Sequence, residues 1–185
     1  MKTYIMKAFT LVELLIVIGI IGILAVVLLV TLNPAEAQRK ARDAKRIKDA
    51  GTLQVIMEQA IADNLIAAGT PITGSSGVNS GTARATQARC DMRTGSNNWL
   101  EFDVCSYVKS IPMEPLNGYT ASMNDGTGGV EPIPNPKYKV RVVGIDYEIN
   151  VRQESTGNTA KIKGDGGNSD KWFEIFSGAN NLFTN

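Results

Sequence analysis

One carboxylate, Glu13, stands inside the most apolar stretch of this chain, FTLVELLIVIGIIGILAVVLLVTL, which runs from Phe9 to Leu32 and carries no other charge. An acid in such a segment costs a few kcal/mol, less near an interface, and is usually kept for a partner. A second set of reactive side chains is the pair Cys90 and Cys105, the two cysteines of the chain. A third is Asp165, Asn168 and Asp170, whose hard oxygens could face a calcium ion while Gly166 and Gly167 permit a tight turn. A Gly-rich Asx turn that needs no metal is the favoured reading of the same residues. Histidine is absent. That removes the Ser-His-Asp and Cys-His nucleophile systems and the usual zinc sites in one step. No G-x-S-x-G, Walker A or G-x-G-x-x-G pattern is present, so the chain is read as a non-enzyme that requires no cofactor.

The elements that must position these groups begin with the apolar stretch itself. From Leu14 to Val30 every residue is Leu, Ile, Val, Ala or Gly, and as a helix the segment would be a rod of roughly 36 Å, long enough to cross a bilayer core. Lys2 and Lys7 precede it. Asn33-Pro34-Ala35-Glu36 then reads as an N-cap, a proline at the first helical position and a capping-box acid, so a kink or restart is expected there. From Pro34 to about Ile66 the chain is rich in helix formers and shows two apolar stripes at helical spacing. One holds Ile47, Ala50, Leu53, Met57, Ala60, Ile61 and Leu65 and suits a sheet. The other holds Ala37, Ala41, Ala44, Gly51, Val55, Ala62 and Ile66, and is either a subunit-packing face or a second buried side. Six basic residues between Glu36 and Asp49 read as a solvated, partly paired helix face, with Lys45 and Asp49 as one such pair.

Gly69 to Asn98 has few large apolar residues and reads as a long surface connection. Trp99 to Val104 alternates briefly, Ser106 to Ile111 suits a helical turn ended by Pro112, and Pro115 to Gly118 is a turn. The clearest strands are Tyr138 to Val143 and Asp146 to Gln153, joined by a Gly144-Ile145 hairpin turn, with a third strand over Trp172 to Phe176. A long helix followed by a short strand meander gives an α+β fold, a small antiparallel sheet covered by the second half of the helix. Both cysteines lie beyond the apolar segment. A disulfide between them would stabilise the domain by about 3 kcal/mol in the chain-entropy model; two buried free thiols are the other reading. The net charge of +1 gives no general affinity for polyanions, and no nucleic acid partner is predicted.

A short basic leader, then Lys7-Ala8-Phe9-Thr10-Leu11-Val12-Glu13, then an unbroken apolar run resembles the class III signal of type IV pilins and type II secretion pseudopilins. The resemblance covers Met1 to about Asn64. It implies that a prepilin peptidase cuts between Ala8 and Phe9 and methylates the new N-terminus, and that Phe9 and Glu13 take part in assembly. The family usually has Gly where this chain has Ala8, and commonly has a helix-breaking Pro inside the apolar segment, where this chain has only Gly19 and Gly22. Major pseudopilins carry a calcium site in a C-terminal loop comparable to that of Asp165. The implied organisation is a leader over 1–8, a transmembrane and polymerisation helix over 9–32, an amphipathic continuation over 33–66 and an extracytoplasmic domain over 67–185. The implied partners are the membrane, further copies or related pilin subunits, the prepilin peptidase, and pilus or secretion assembly machinery. The subunit would sit in the cytoplasmic membrane before assembly and in an extracytoplasmic filament afterwards, with the leader cytoplasmic although the positive-inside rule alone favours the reverse. A type IV pilin-like filament subunit is the expected function. A secretion pseudopilin and a tethered binding domain that never polymerises are the alternatives. A secretory signal peptide cut after Ala35-Glu36-Ala37 and a plain membrane anchor would explain the apolar run but not Glu13.

Overall fold

The computed structural model describes residues 9–31, 33–66, 72–75, 88–89, 100, 104–178 and 182–183. The chain divides between Gln38 and Arg39 into two compact units.

In the first unit, helix α1 spans Leu11–Thr31. It runs unbroken through Gly19 and Gly22, so neither glycine loosens it. Its first turn is closed by a reciprocal pair. Glu13 N donates to Thr10 Oγ1 at 3.2 Å, and Thr10 N donates to Glu13 Oε2 at 2.9 Å. This is a capping box that satisfies backbone groups a helix start otherwise leaves bare. Helix α2, Pro34–Ala62, restarts where the sequence places a cap and a proline. Asn33 adopts φ 39°, and its Oδ1 accepts the Glu36 amide at 3.3 Å. Asparagine tolerates this left-handed region better than most residues.

In the second unit, α2 ends in a Schellman motif: Leu65 N donates to Ala60 O, Asn64 N to Ile61 O, and Asn64 takes φ 55°. A four-stranded antiparallel sheet has the order β1-β6-β7-β8, with β1 Ile72–Ser75, β6 Lys139–Val143, β7 Asp146–Val151 and β8 Phe173–Phe176. The expected β6–β7 hairpin is present, closing on the pair Val143 and Asp146 with Gly144 at φ 67°. Ala50, Leu53, Ile56, Met57 and Ala60 of α2 form one buried core with Val140, Val142, Tyr147, Ile149 and Val151 of the sheet. Two tyrosines bridge the same layers, Tyr138 to Asp49 at 2.9 Å and Tyr147 to Glu58 at 2.8 Å. The architecture is therefore mixed α+β, an apolar N-terminal helix and a second helix with small antiparallel sheets.

Several expectations are corrected. Ile56 belongs to the core although it lies in neither projected stripe, while Leu65 is exposed. Within the expected surface connection of 69–98, Ile72–Ser75 is instead an edge strand on β6 and Ala88–Arg89 is β2; the remainder lies outside the described residues. Val104 starts a single helical turn, after which Ser110–Ile111 forms β3 and pairs with β2. A hairpin of β4, Thr120–Asn124, and β5, Val130–Pro134, has no counterpart in the sequence reading. Short α3, Thr159–Lys163, is likewise unforeseen.

Leu53 is fully buried between helix and sheet, whereas Val55, two residues on, is 62% exposed. Leu53→Ala should lower unfolding stability by about 2–5 kcal/mol in chemical denaturation, and Val55→Ala should stay within about 0.5 kcal/mol. Equal effects at the two positions would mean that α2 packs by a different face.

Candidate functional site

At the start of α1 the described residues are Phe9 and Thr10, then the helix; Ala8, the other half of the expected cleavage junction, lies outside them. Phe9 is 75% exposed. Glu13 is held by its own helix, since Oε2 also accepts the Thr10 hydroxyl at 2.8 Å. Thr10 is thus a site residue that the sequence reading missed, although the T-x-x-E signal ahead of an apolar run was there to be read. Along Leu11–Leu29 the helix is long and apolar enough to cross a membrane, and none of that window is buried within the chain. The site here is a carboxylate presented at one end of an uncovered apolar rod.

Comparison with family models, with curated proteins and with solved structures finds no match.

The second unit carries a polar cluster that the sequence read as a solvated helix face. Arg46 is fully buried. Its guanidinium donates to Asp43 at 2.8 Å, to Glu154 at 2.6 Å and to both oxygens of Glu114. Arg42 adds a two-pronged pair with Glu154 at 2.7 and 2.6 Å. Asp43 in turn accepts the backbone amides of Glu154 and Ser155 at 2.8 and 2.9 Å. Burial alone would pull the Arg46 pKa down, but Glu114 and Glu154 outweigh it and the value ends raised. Glu154 ends below its ordinary value because Arg42 and Arg46 overcome its burial. Two guanidinium groups meet three carboxylates and backbone amides complete Asp43, so the cluster fastens α2 to distant segments. The expected Lys45–Asp49 pair is present at 2.6 Å.

The three candidate calcium ligands lie in the loop before β8. Asp165 Oδ1 accepts the Gly167 amide and Oδ2 the Glu174 amide, both at 2.8 Å. Glu174 reaches back, its Oε2 accepting the Asn168 amide at 2.6 Å and that of Ser169 at 3.3 Å. Asp170 faces Lys163 at 3.6 Å. The loop thus forms an Asx turn clasped by two carboxylates whose oxygens serve backbone donors. Among the described residues no group of three or more His, Cys, Asp or Glu is arranged to hold a metal ion. A side chain at Gly167 would collide with the Glu174 carboxylate, which explains a glycine there. Cys90 lies outside the described residues, and no described cysteine is a free thiol.

Burial, with Glu148 and Asp165 nearby, pushes Glu174 up from its ordinary 4.5 to about 7. An acid with a raised folded-state pKa favours folding while it is protonated, and that contribution is lost as pH rises from about 4.5 to about 7. The depressed acids Glu131 and Glu154 act oppositely and only below their ordinary range. Stability measured by denaturation should therefore fall between pH 5 and 7, a window set by the Glu174 values. Glu174→Gln should flatten that slope; an unchanged slope would assign it to another group.

Proposed function

We propose that this chain is a type IV pilin-like structural subunit, processed before Phe9 by a prepilin peptidase and assembled through α1 into an extracytoplasmic filament. The observation that carries the reading is an apolar helix with no cover in its own fold and a carboxylate at its N-terminal end. Apolar area of this extent must be buried by lipid or by protein. Lipid serves a membrane-inserted monomer, and the α1 helices of neighbouring copies serve a filament. Either surround leaves the Glu13 charge as the element that needs a specific partner.

The capping box gives that partner choice a definite starting state. In the monomer Thr10 occupies one Glu13 oxygen. Removal of the leader creates an amine at Phe9, and in a filament the amine of one copy would meet Glu13 of the next. A charge pair broken in an apolar core costs about 3 to 5 kcal/mol, enough to fix register and recruitment. In the same reading the exposed Ala41, Ala44 and Val55 of α2 offer a separate packing face, the two alanines allowing close approach. A disulfide between Cys90 and Cys105 would staple the extracytoplasmic domain.

Glu13→Leu should insert and be cut to a mature start at Phe9, yet yield few or no filaments by electron microscopy of sheared cell-surface fractions. Glu13→Gln, which keeps shape and hydrogen bonding, should also assemble poorly. Normal filament yield from Glu13→Leu in cells lacking the native subunit would overturn the proposal. Peptide mapping without reductant should recover Cys90 and Cys105 as one linked species; recovery of both as free thiols would refute the staple.

A further inference from the structure

The outer face of the four-stranded sheet hides polar groups. Along β7, Tyr147, Ile149 and Val151 belong to the apolar core, while Glu148, Asn150 and Arg152 point to the opposite face and are buried as well. Residues near the C-terminus cover them. Glu148 Oε2 accepts the amides of Leu182 at 2.7 Å and Phe183 at 3.0 Å, and Arg141 donates to the Leu182 carbonyl. Beneath this cover Asn150 is 0% exposed. Its Nδ2 donates to Glu148 Oε1 at 2.9 Å, and its Oδ1 has no hydrogen-bond partner. A buried amide oxygen left bare is costly and calls for an explanation.

Directly opposite Asn150 in the ladder stands Lys139. Cross-strand partners have Cβ atoms about 5 Å apart, within the span of a lysine side chain. Lys139 is partly buried and, among the described residues, makes no ion pair. Its Nζ lies 4.3 Å from the ring centre of Trp172 and 5.8 Å from that of Phe183. Trp172 immediately precedes β8, and β7 lies between β6 and β8. The Lys139 side chain therefore crosses β7 to reach that ring, beginning from the rung it shares with Asn150. Two cations flank the amide on the same face: Arg152, immediately after β7 and two residues past Asn150, and Arg141, the register partner of Glu148. Each has a buried Nε without a partner.

We propose that Lys139 and Asn150 are joined by an intramolecular amide that the folded chain forms by itself, with Glu148 carrying the proton. The unprotonated Lys139 Nζ attacks Asn150 Cγ, and negative charge develops on the bare Oδ1, on the face that also carries the Arg141 and Arg152 cations. Glu148 takes a proton from the attacking nitrogen and delivers it to Nδ2, to which Oε1 is already hydrogen-bonded. The Cγ–Nδ2 bond breaks, ammonia leaves, and an Nζ–Cγ amide remains. No oxidant, reductant or cofactor enters. Burial first and the Arg152 charge second lower the Lys139 pKa, against the pull of Glu148, and so favour the unprotonated amine the attack requires. The aromatic roof keeps out the water that would hydrolyse the amide. The product is a covalent rung that stops β6 and β7 from unzipping, useful to any load-bearing domain and independent of whether the chain forms filaments.

The test is mass spectrometry of the full chain purified in detergent, followed by trypsin. After allowance for leader removal, N-methylation and a disulfide, the expected protein is lighter by one further ammonia. The expected digest contains a branched species in which Tyr138–Arg141, uncut after Lys139, is linked to Val142–Arg152. Lys139→Arg, which preserves the cation over Trp172, should abolish the ammonia loss, whereas a cyclised Asn117-Gly118 succinimide would lose ammonia in both proteins. Glu148→Gln should reduce the branched species at least tenfold. Quantitative recovery of unlinked Tyr138–Lys139 and unmodified Val142–Arg152 from the native protein would overturn the proposal, and a wild-type yield from Glu148→Gln would overturn the role given to that carboxylate.

Discussion

The buried guanidinium of Arg46 is the constraint on which the second unit depends. A desolvated charge is tolerable only where partners meet it on all sides, and here they come from α2 itself and from two segments far along the chain, at Glu114 and at Glu154. Satisfying one side chain therefore fixes where the β3–β4 connection and the strand-to-helix turn after β7 sit against α2. Asp43 completes the arrangement by spending its remaining capacity on backbone amides of that turn and on Asn158. The gain lies in specificity more than in stability. A well-packed apolar substitute for the whole cluster often stabilises as much, whereas loss of the Arg46 guanidinium alone leaves buried carboxylates unmatched at about 3–5 kcal/mol.

The first unit meets the opposite problem. Its polar groups are satisfied locally, by the Thr10–Glu13 box at the start of α1 and by the Asn33 cap at the start of α2. Its apolar side chains over Leu11–Leu29 are left unburied among the described residues. A helix that is apolar on every side has no orientation preference of its own in lipid. Any specific association must come from small-residue approach at Gly19 and Gly22 or from the one carboxylate. That division makes Glu13 the informative residue of the first unit.

What the sequence disclosed follows from how local the determining physics is. The α1 segment, the restart at Asn33-Pro34 and the β6–β7 hairpin each depend on composition, capping or a glycine turn within a few residues, and each was legible. The β1 strand was not, because Ile72-Thr73-Gly74-Ser75 is only four residues long, has Gly74 within it and becomes a strand by pairing along the edge of β6. The β4–β5 hairpin was hidden by Pro132 and Pro134, which demote a run as read in sequence but are tolerated on a strand with a free edge. Arg46 was misread because a basic residue in a charged helical run normally faces water. Its burial is set by Glu114 and Glu154, 68 and 108 positions away. At the candidate loop, glycine and Asx chemistry foretold a turn. That Glu174 would clasp it depended on β8 pairing beside β7.

The outer face of β7 shows why alternation is an incomplete guide to burial. Tyr147-Glu148-Ile149-Asn150-Val151-Arg152 reads as a strand with one face in the core and one in water, the usual arrangement for a small antiparallel sheet. Instead the polar face is roofed by Trp172 and by the segment at Leu182 and Phe183. An acid, an amide and a guanidinium are thereby brought out of water together. Glu148 meets its need with three N–H donors, from Asn150, Leu182 and Phe183. Arg152 meets part of its need with the Asn124 carbonyl at 2.9 Å and the Glu131 carboxylate. Besides those of Asn117 and Gln153, the buried side-chain atoms left unmet among the described residues are Asn150 Oδ1 and the Nε groups of Arg141 and Arg152, which lie on the same face around the Lys139 rung. Had they been scattered, each would be an isolated packing compromise worth about 1–3 kcal/mol. Gathered around an amine and a carboxamide, they make a polarised, buried surround, which is the environment in which an amide can exchange one amine for another.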